Sequence, residues 1–137
     1  MSAVETDGNK VVVRYLDGHM LKGVTHDFAA NKEKFHVFLG GDASTRGTPV
    51  TPDGLKAVFF VKDHTGDSAH KDVLTFDGAK GQGRRIAVTF VDGETVVGFT
   101  MAYNAAAPGF FLVPVDRDGN NVRVFVINNA VRKVNWL

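Results

Sequence analysis

A chain of 137 residues with no cysteine, a formal net charge of +1 and 44% hydrophobic content fits one ordinary domain or two very small units sharing an interface. These numbers exclude disulfides, thiolate metal sites and cysteine nucleophiles, and they give no overall electrostatic case for nucleic acid. No apolar run nears the ~18 residues of a membrane span, and the opening Met1-Ser2-Ala3-Val4-Glu5-Thr6-Asp7 has neither the basic nor the apolar part of a signal peptide, so a cytoplasmic location and no membrane partner are expected.

Residues 1–9 read as a flexible N-terminus. From there the apolar set is dominated by Val and Phe and is spread among 15 Gly, a mixture that suits pleated strands and tight turns. Val11, Val13 and Tyr15 alternate as one face of a strand that runs into Asp17-Gly18, the dipeptide of a type I′ hairpin. His19 to Thr25 must pair back, with Gly23 inside it permitting a bulge or a sharp bend. After a polar loop at 31–34 comes a third strand, Phe35-His36-Val37-Phe38-Leu39, and Leu55 to Val61 forms a returning strand.

Residues 62–82 are polar and rich in Lys, Asp and Gly. They read as a linker whose apolar island, Val73-Leu74-Thr75-Phe76, docks on a neighbour or adds an edge strand. Then the pattern starts again. Ile86-Ala87-Val88-Thr89-Phe90-Val91-Asp92-Gly93 repeats Val11-Val12-Val13-Arg14-Tyr15-Leu16-Asp17-Gly18 at an offset of 75, which also pairs Gly23 with Gly98, Phe28 with Tyr103 and Phe35 with Phe110. Further on, Ala57-Val58 and Val61 match Ala130-Val131 and Val134 at an offset of 73, as a two-residue difference between internal loops would produce. The second copy continues through Glu94 to Thr100 and Phe110 to Val113. It closes on a strand pair, Val122 to Ile127 and Val131 to Leu137, around a turn at Asn128-Asn129-Ala130.

The expected fold is therefore all-β: two tandem small barrels of about five short antiparallel strands each, at 10–61 and 83–137, packed together. Several strands are apolar on both faces, as Val124 and Val126 are against Phe125 and Ile127. One barrel interior cannot take both sets, so the sister copy or another chain must cover part of the second face.

This strand order resembles the Sm-like barrel, a relative of the SH3-like barrel. The segment Val124-Phe125-Val126-Ile127-Asn128-Asn129-Ala130-Val131-Arg132-Lys133-Val134 is similar to the closing strands of the bacterial Hfq RNA chaperone. That resemblance implies RNA binding through a Tyr-Lys-His signature before the Ala of the last strand pair. The corresponding positions here are Ile127, Asn128 and Asn129, and around Asp53, Gly54 and Leu55 in the first copy; the stacking ring and the cation are missing. The layout also resembles a bacterial two-repeat family, on Leu55-Lys56-Ala57-Val58-Phe59-Phe60-Val61-Lys62-Asp63 and Pro108-Gly109-Phe110-Phe111-Leu112, which implies no activity.

Catalytic patterns are weak. His19, His26, His36, His64 and His70 include no dense metal spacing, and a solvated linker accounts for His64 and His70 beside Asp63, Asp67 and Asp72. Ser44 and Ser68 lack the strained turn of a hydrolase nucleophile. Gly78 to Arg85 looks like a phosphate loop but leads into a strand, where no helix N-terminus faces an anion. Asp42-Ala43-Ser44-Thr45-Arg46-Gly47 resembles the D-x-S-x-x-G element of PilZ cyclic-di-GMP receptors, without that family's paired-arginine arm. No catalytic residue, metal site or cofactor is expected.

Two readings remain. The first is a non-enzymatic binding or assembly module, whose partner is another protein or a second copy. The alternative is a nucleic-acid or nucleotide (cyclic-di-GMP-type) binding module using Lys80, Arg84, Arg85, Arg123, Arg132 and Lys133, which interleave with Asp92, Glu94, Asp116 and Asp118.

Overall fold

The structure is a computed structural model, described here for residues 8–30, 33–39, 47–63, 83–116 and 119–137. The linker island at 73–76, the residues 42–46, His64, His70, Ser68 and Lys80 lie outside the described residues.

Ten strands run in chain order: β1 (Asn9–Tyr15), β2 (Met20–Thr25), β3 (Phe35–Val37), β4 (Thr48–Val50), β5 (Leu55–Val61), β6 (Arg84–Phe90), β7 (Thr95–Thr100), β8 (Gly109–Pro114), β9 (Asn121–Ile127) and β10 (Val131–Trp136). Eight form one antiparallel sheet in the order β10-β6-β7-β8-β9-β5-β1-β2, and β3 with β4 form a second. A single bridge, Val24 to Phe38, ties β3 to β2. The protein is all-β, as its Val- and Phe-rich alternation implies. The expected closure into barrels is absent among the described strands, because the outer edge of β5 is taken by β9 rather than by β4.

Both hairpins turn on Asp-Gly, but not as type I′ turns. Gly18 and Gly93 have φ of 97° and 94°, while no other described residue than glycine has positive φ. The amide of Gly18 donates to the Tyr15 carbonyl and that of Tyr15 to the His19 carbonyl, closing a three-residue loop of the kind that needs glycine only at its last position. The Asp17 and Asp92 carboxylates accept the amides of His19 and Glu94, each at 3.0 Å, which fixes the loop.

Gly23 and Gly98 mark no bulge, since the β1–β2 and β6–β7 registers run past them without a shift. Their role is close approach. A Cβ on Gly23 would stand 2.5 Å from the Phe38 carbonyl oxygen, and one on Gly98 would collide with the Val113 carbonyl oxygen and the Leu112 side chain. The third strand crosses tightly over the second, and only glycine lets it.

The two halves pair alike. The register Asn9↔Thr25 through Arg14↔Met20 recurs as Arg84↔Thr100 through Thr89↔Thr95, shifted by 75 residues. Beyond the third strand the shift becomes 76, not 73: Val11↔Phe60 recurs as Ile86↔Trp136, and the bulge before Tyr15↔Leu55 recurs before Phe90↔Val131. Turn hydrogen bonds agree, with Leu16 donating to Gly54 as Val91 donates to Ala130. The sequence match at 73 aligned interchangeable Ala and Val letters, whereas backbone geometry pins Leu55 onto Val131. Nor are β9 and β10 a strand pair; the 3-10 turn Asn128–Ala130 sends β10 back to β6.

The core follows from this order. All seven residues of β5 are buried: β1 and β9 pair its two edges, and side chains pack over both its faces. Val11, Val13, Ile86, Val88, Phe90, Leu112 and Val124 share one core with it, where each large side chain removed from water contributes about 1.5–3 kcal/mol.

Candidate functional site

Two kinds of surface stand out: the joint where the halves meet, and the outer edges that the joint leaves over. At the joint β5 pairs with β9 as Ala57↔Val126, Val58↔Phe125, Phe59↔Val124 and Phe60↔Arg123. Phe28 stands at the centre of an aromatic cluster, its ring edge-on to those of Phe35, Phe60, Phe111 and Phe125 at centroid distances of 5.0, 5.3, 5.8 and 5.1 Å. Arg123 lies over Phe60 and Phe111 at 4.3 and 4.5 Å, and burial lowers its affinity for the proton.

Beside the aromatics sits the one buried cation of the described residues. Lys56, with a side chain only 6% exposed, pairs with Asp92 at 2.7 Å and with Glu94 and lies over the Phe90 ring at 5.0 Å. Its hydrogen bond, together with the Glu94 amide, holds the Asp92 carboxyl below the usual carboxylate range. A charge here would be costly unpaired; the second half's hairpin supplies both carboxylates. Asn120 clips the far end of β5, its side chain donating to the Asp63 carbonyl and accepting the Asp63 amide. A cavity of about 70 Å³ between Phe59, Val97 and Asp116 is too small for more than a water or two.

The outer edges belong to β4 and β10, neither of which has a further strand partner among the described residues. Near β10, Tyr103 contacts Phe110 and Trp136 edge-on at 4.9 and 5.2 Å, Arg84 lies over Trp136 at 3.9 Å, and Trp136 is 38% exposed. A groove of about 340 Å³ opens there between Gly83, Arg84, Thr100, Met101, Tyr103 and Trp136. Near β4, His36 donates its amide to Asp27 at 2.9 Å, and its ring Nδ1 lies 2.8 Å from the same carboxylate. The buried Thr25 hydroxyl donates to the same carboxylate at 3.3 Å, so Asp27 fastens β3 to the last residue of β2 and the segment just past it.

Of the basic residues singled out by sequence, the five that are described do not form one patch. Arg84 and Arg85 open β6, which β10 meets there near Trp136; Arg132 and Lys133 lie at the other end of β10, opposite Phe90 and Thr89. About five residues of strand separate the two groups, roughly 16 Å at ~3.3 Å per residue. Arg123 is on β9, with β6, β7 and β8 between it and β10, and it serves the joint. Among the described residues no cluster of three or more His, Asp or Glu is arranged to hold a metal, and no helix is long and apolar enough to cross a membrane.

Sequence reading missed Lys56 and the strand β4. Lys56 had a signal, a lone charge inside the apolar run Leu55–Val61; β4, three residues including Pro49, had almost none.

One comparison assigns the chain. It belongs to the DUF6982 family. The family model, described as a family of unknown function, matches residues 7–137. No curated protein and no solved structure matches the chain.

Proposed function

We propose that the chain is a non-catalytic assembly module: a tandem of two equivalent five-strand units of Sm-like strand order, neither closed into a barrel by its own described strands, working in the cytoplasm, that binds protein partners by strand addition at its outer edges. The observation that carries this reading is the pair of edges at β4 and β10, which have no further strand partner among the described residues and are each equivalent by register to an edge that is already paired within the chain. Shared registers and shared glycine turns in the two halves support the tandem, and a chain without cysteine suits a reducing compartment. Backbone donors and acceptors along an unpaired strand form a template for another strand.

The test is solution mass by light scattering during size exclusion, at low and high salt, with and without a pool of short RNA. A mass above the monomer that ignores RNA supports assembly. A monomer at every concentration overturns self-assembly, and a mass that rises only with RNA at low salt overturns it in favour of nucleic-acid binding.

A further inference from the structure

Resting on the assembly reading, we infer that the partner is a second copy of this chain, joined head to tail by placing the β10 edge of one molecule on the β4 edge of the next. The internal joint is the template. Its β5 face corresponds to β10 by the 76-residue shift, and its β9 face corresponds to β4 by the same shift. Transferring the β5–β9 register gives Lys133 opposite Val50, Val134 opposite Pro49, Asn135 opposite Thr48 and Trp136 opposite Gly47.

Three independent features of the joint carry over to the free ends. Backbone polarity is the first. Phe90 donates its amide to Glu94 and Leu137 to Arg85, so alternation turns the amides and carbonyls of Val134 and Trp136 outward, as it turns those of Val58 and Phe60 toward β9. The second is charge: Lys56 reaches Asp92 on the second half's hairpin, and the equivalent residues are Arg132 and Asp17, both exposed and of opposite sign. The third is aromatic cover. Phe111 and Phe125 close over Phe28 and Phe60 at the joint; their equivalents are His36 and Pro49 of a neighbouring chain, and those of Phe28 and Phe60 are Tyr103 and the partly exposed Trp136 beside the 340 Å³ groove.

Pro49 sets the strength of this contact. The amide of Phe38 donates to Val24 of β2 and that of His36 to Asp27 just past it, both away from β4, so those of Phe35 and Val37 face β4, and the ring nitrogen of Pro49 lies on the outward edge. The Val134–Pro49 pair then has one hydrogen bond where Val58–Phe125 has two. Association is correspondingly weaker than the internal joint, reversible and dependent on concentration.

The joint is heterologous, so it makes a specific demand on mixtures. Arg132→Asp brings two acids together at every contact, and Asp17→Arg brings two arginines together; each variant alone is expected to associate about tenfold or more weakly than the native chain. A 1:1 mixture pairs acid with arginine at every joint and regains near-native association. Melting temperatures of the separate variants show that both remain folded. Trp136 is the only tryptophan, so its emission should shift to the blue as native protein is concentrated, and Pro49→Val, which restores an outward amide, should lower the concentration required about three- to tenfold. A native chain that assembles while neither charge reversal matters, or whose variants fail to rescue one another on mixing, overturns the head-to-tail joint and leaves the assembly reading standing. A native chain that stays monomeric at all concentrations, with invariant Trp136 emission, overturns the head-to-tail joint and self-assembly with it.

Discussion

The inner strand β5 and the outer strand β10 occupy equivalent places in the two halves, yet differ in what covers them. Along β5 the residues are Leu55, Lys56, Ala57, Val58, Phe59, Phe60 and Val61, all buried; their equivalents along β10 and just beyond are Val131, Arg132, Lys133, Val134, Asn135, Trp136 and Leu137, none of them buried. Polar residues replace apolar ones at two positions, Lys133 for Ala57 and Asn135 for Phe59, whereas Val134 and Trp136 keep their apolar bulk. On the opposing face Phe111 and Phe125 give way to His36 and Pro49. The same backbone supports a permanent joint in one place and, in the other, an edge moderated by charge and proline, as strand edges in water require.

This contrast can be tested from its strongest point downward. Phe60→Ala at the inner joint is expected to destabilise the fold by about 3–5 kcal/mol in chemical denaturation, through loss of burial and the cavity left among Phe28, Phe111 and Phe125. Trp136→Ala, the outer equivalent, should change the same midpoint little; equal losses in the two variants would mean that the edges do not differ. Gly98→Val and Gly23→Val should each cost about 1–3 kcal/mol by forcing the third strand away from the second, with Gly98 the more sensitive because its approach is closer.

Electrostatic effects come next. Replacing Asp92 and Glu94 together by their amides strands the Lys56 charge, and with the discount for carboxylates that are themselves nearly half exposed, a loss of about 1–2 kcal/mol is expected. Lys56→Met in that background should recover much of it. Asp17→Asn, at the outer equivalent of Asp92, should leave the melting temperature unchanged.

The smallest effect is in pH. Because Lys56 and the Glu94 amide lower the Asp92 pKa in the folded state, folding is favoured above the unfolded value near ~4, and that contribution disappears as pH falls through the folded value. A titration of stability below about pH 5 should be shallower in Asp92→Asn than in the native chain.

Much of the strand order was legible because its signals are local. Val11, Val13 and Tyr15 alternate, Asp17-Gly18 turns, and the 75-residue echo at Ile86 to Gly93 doubles the evidence. What failed was whatever depended on partners distant in sequence. Nothing in Thr48-Pro49-Val50 distinguishes a strand from a loop, and nothing in Leu55–Val61 says that β9 will take its outer edge and keep the first half from closing. The site was less legible still. Arg84, Arg85, Arg123, Arg132 and Lys133, which look like a group in sequence, are set apart by the folding of β6, β9 and β10, while Lys56, which the apolar run around it marks as paired, finds its carboxylates some 36 residues onward at Asp92.

Amide hydrogen exchange at β10, followed as a function of protein concentration, tests most directly whether the outer edges repeat the inner joint. The amides of Lys133 and Asn135, which face β6, should be protected at all concentrations, and that of Val134, which faces outward, should gain protection as the chain is concentrated. Exchange at Val134 that stays fast and unchanged while the solution mass rises would show that assembly uses another surface; unchanged exchange with a constant monomer mass would show that the edge takes no second copy at all.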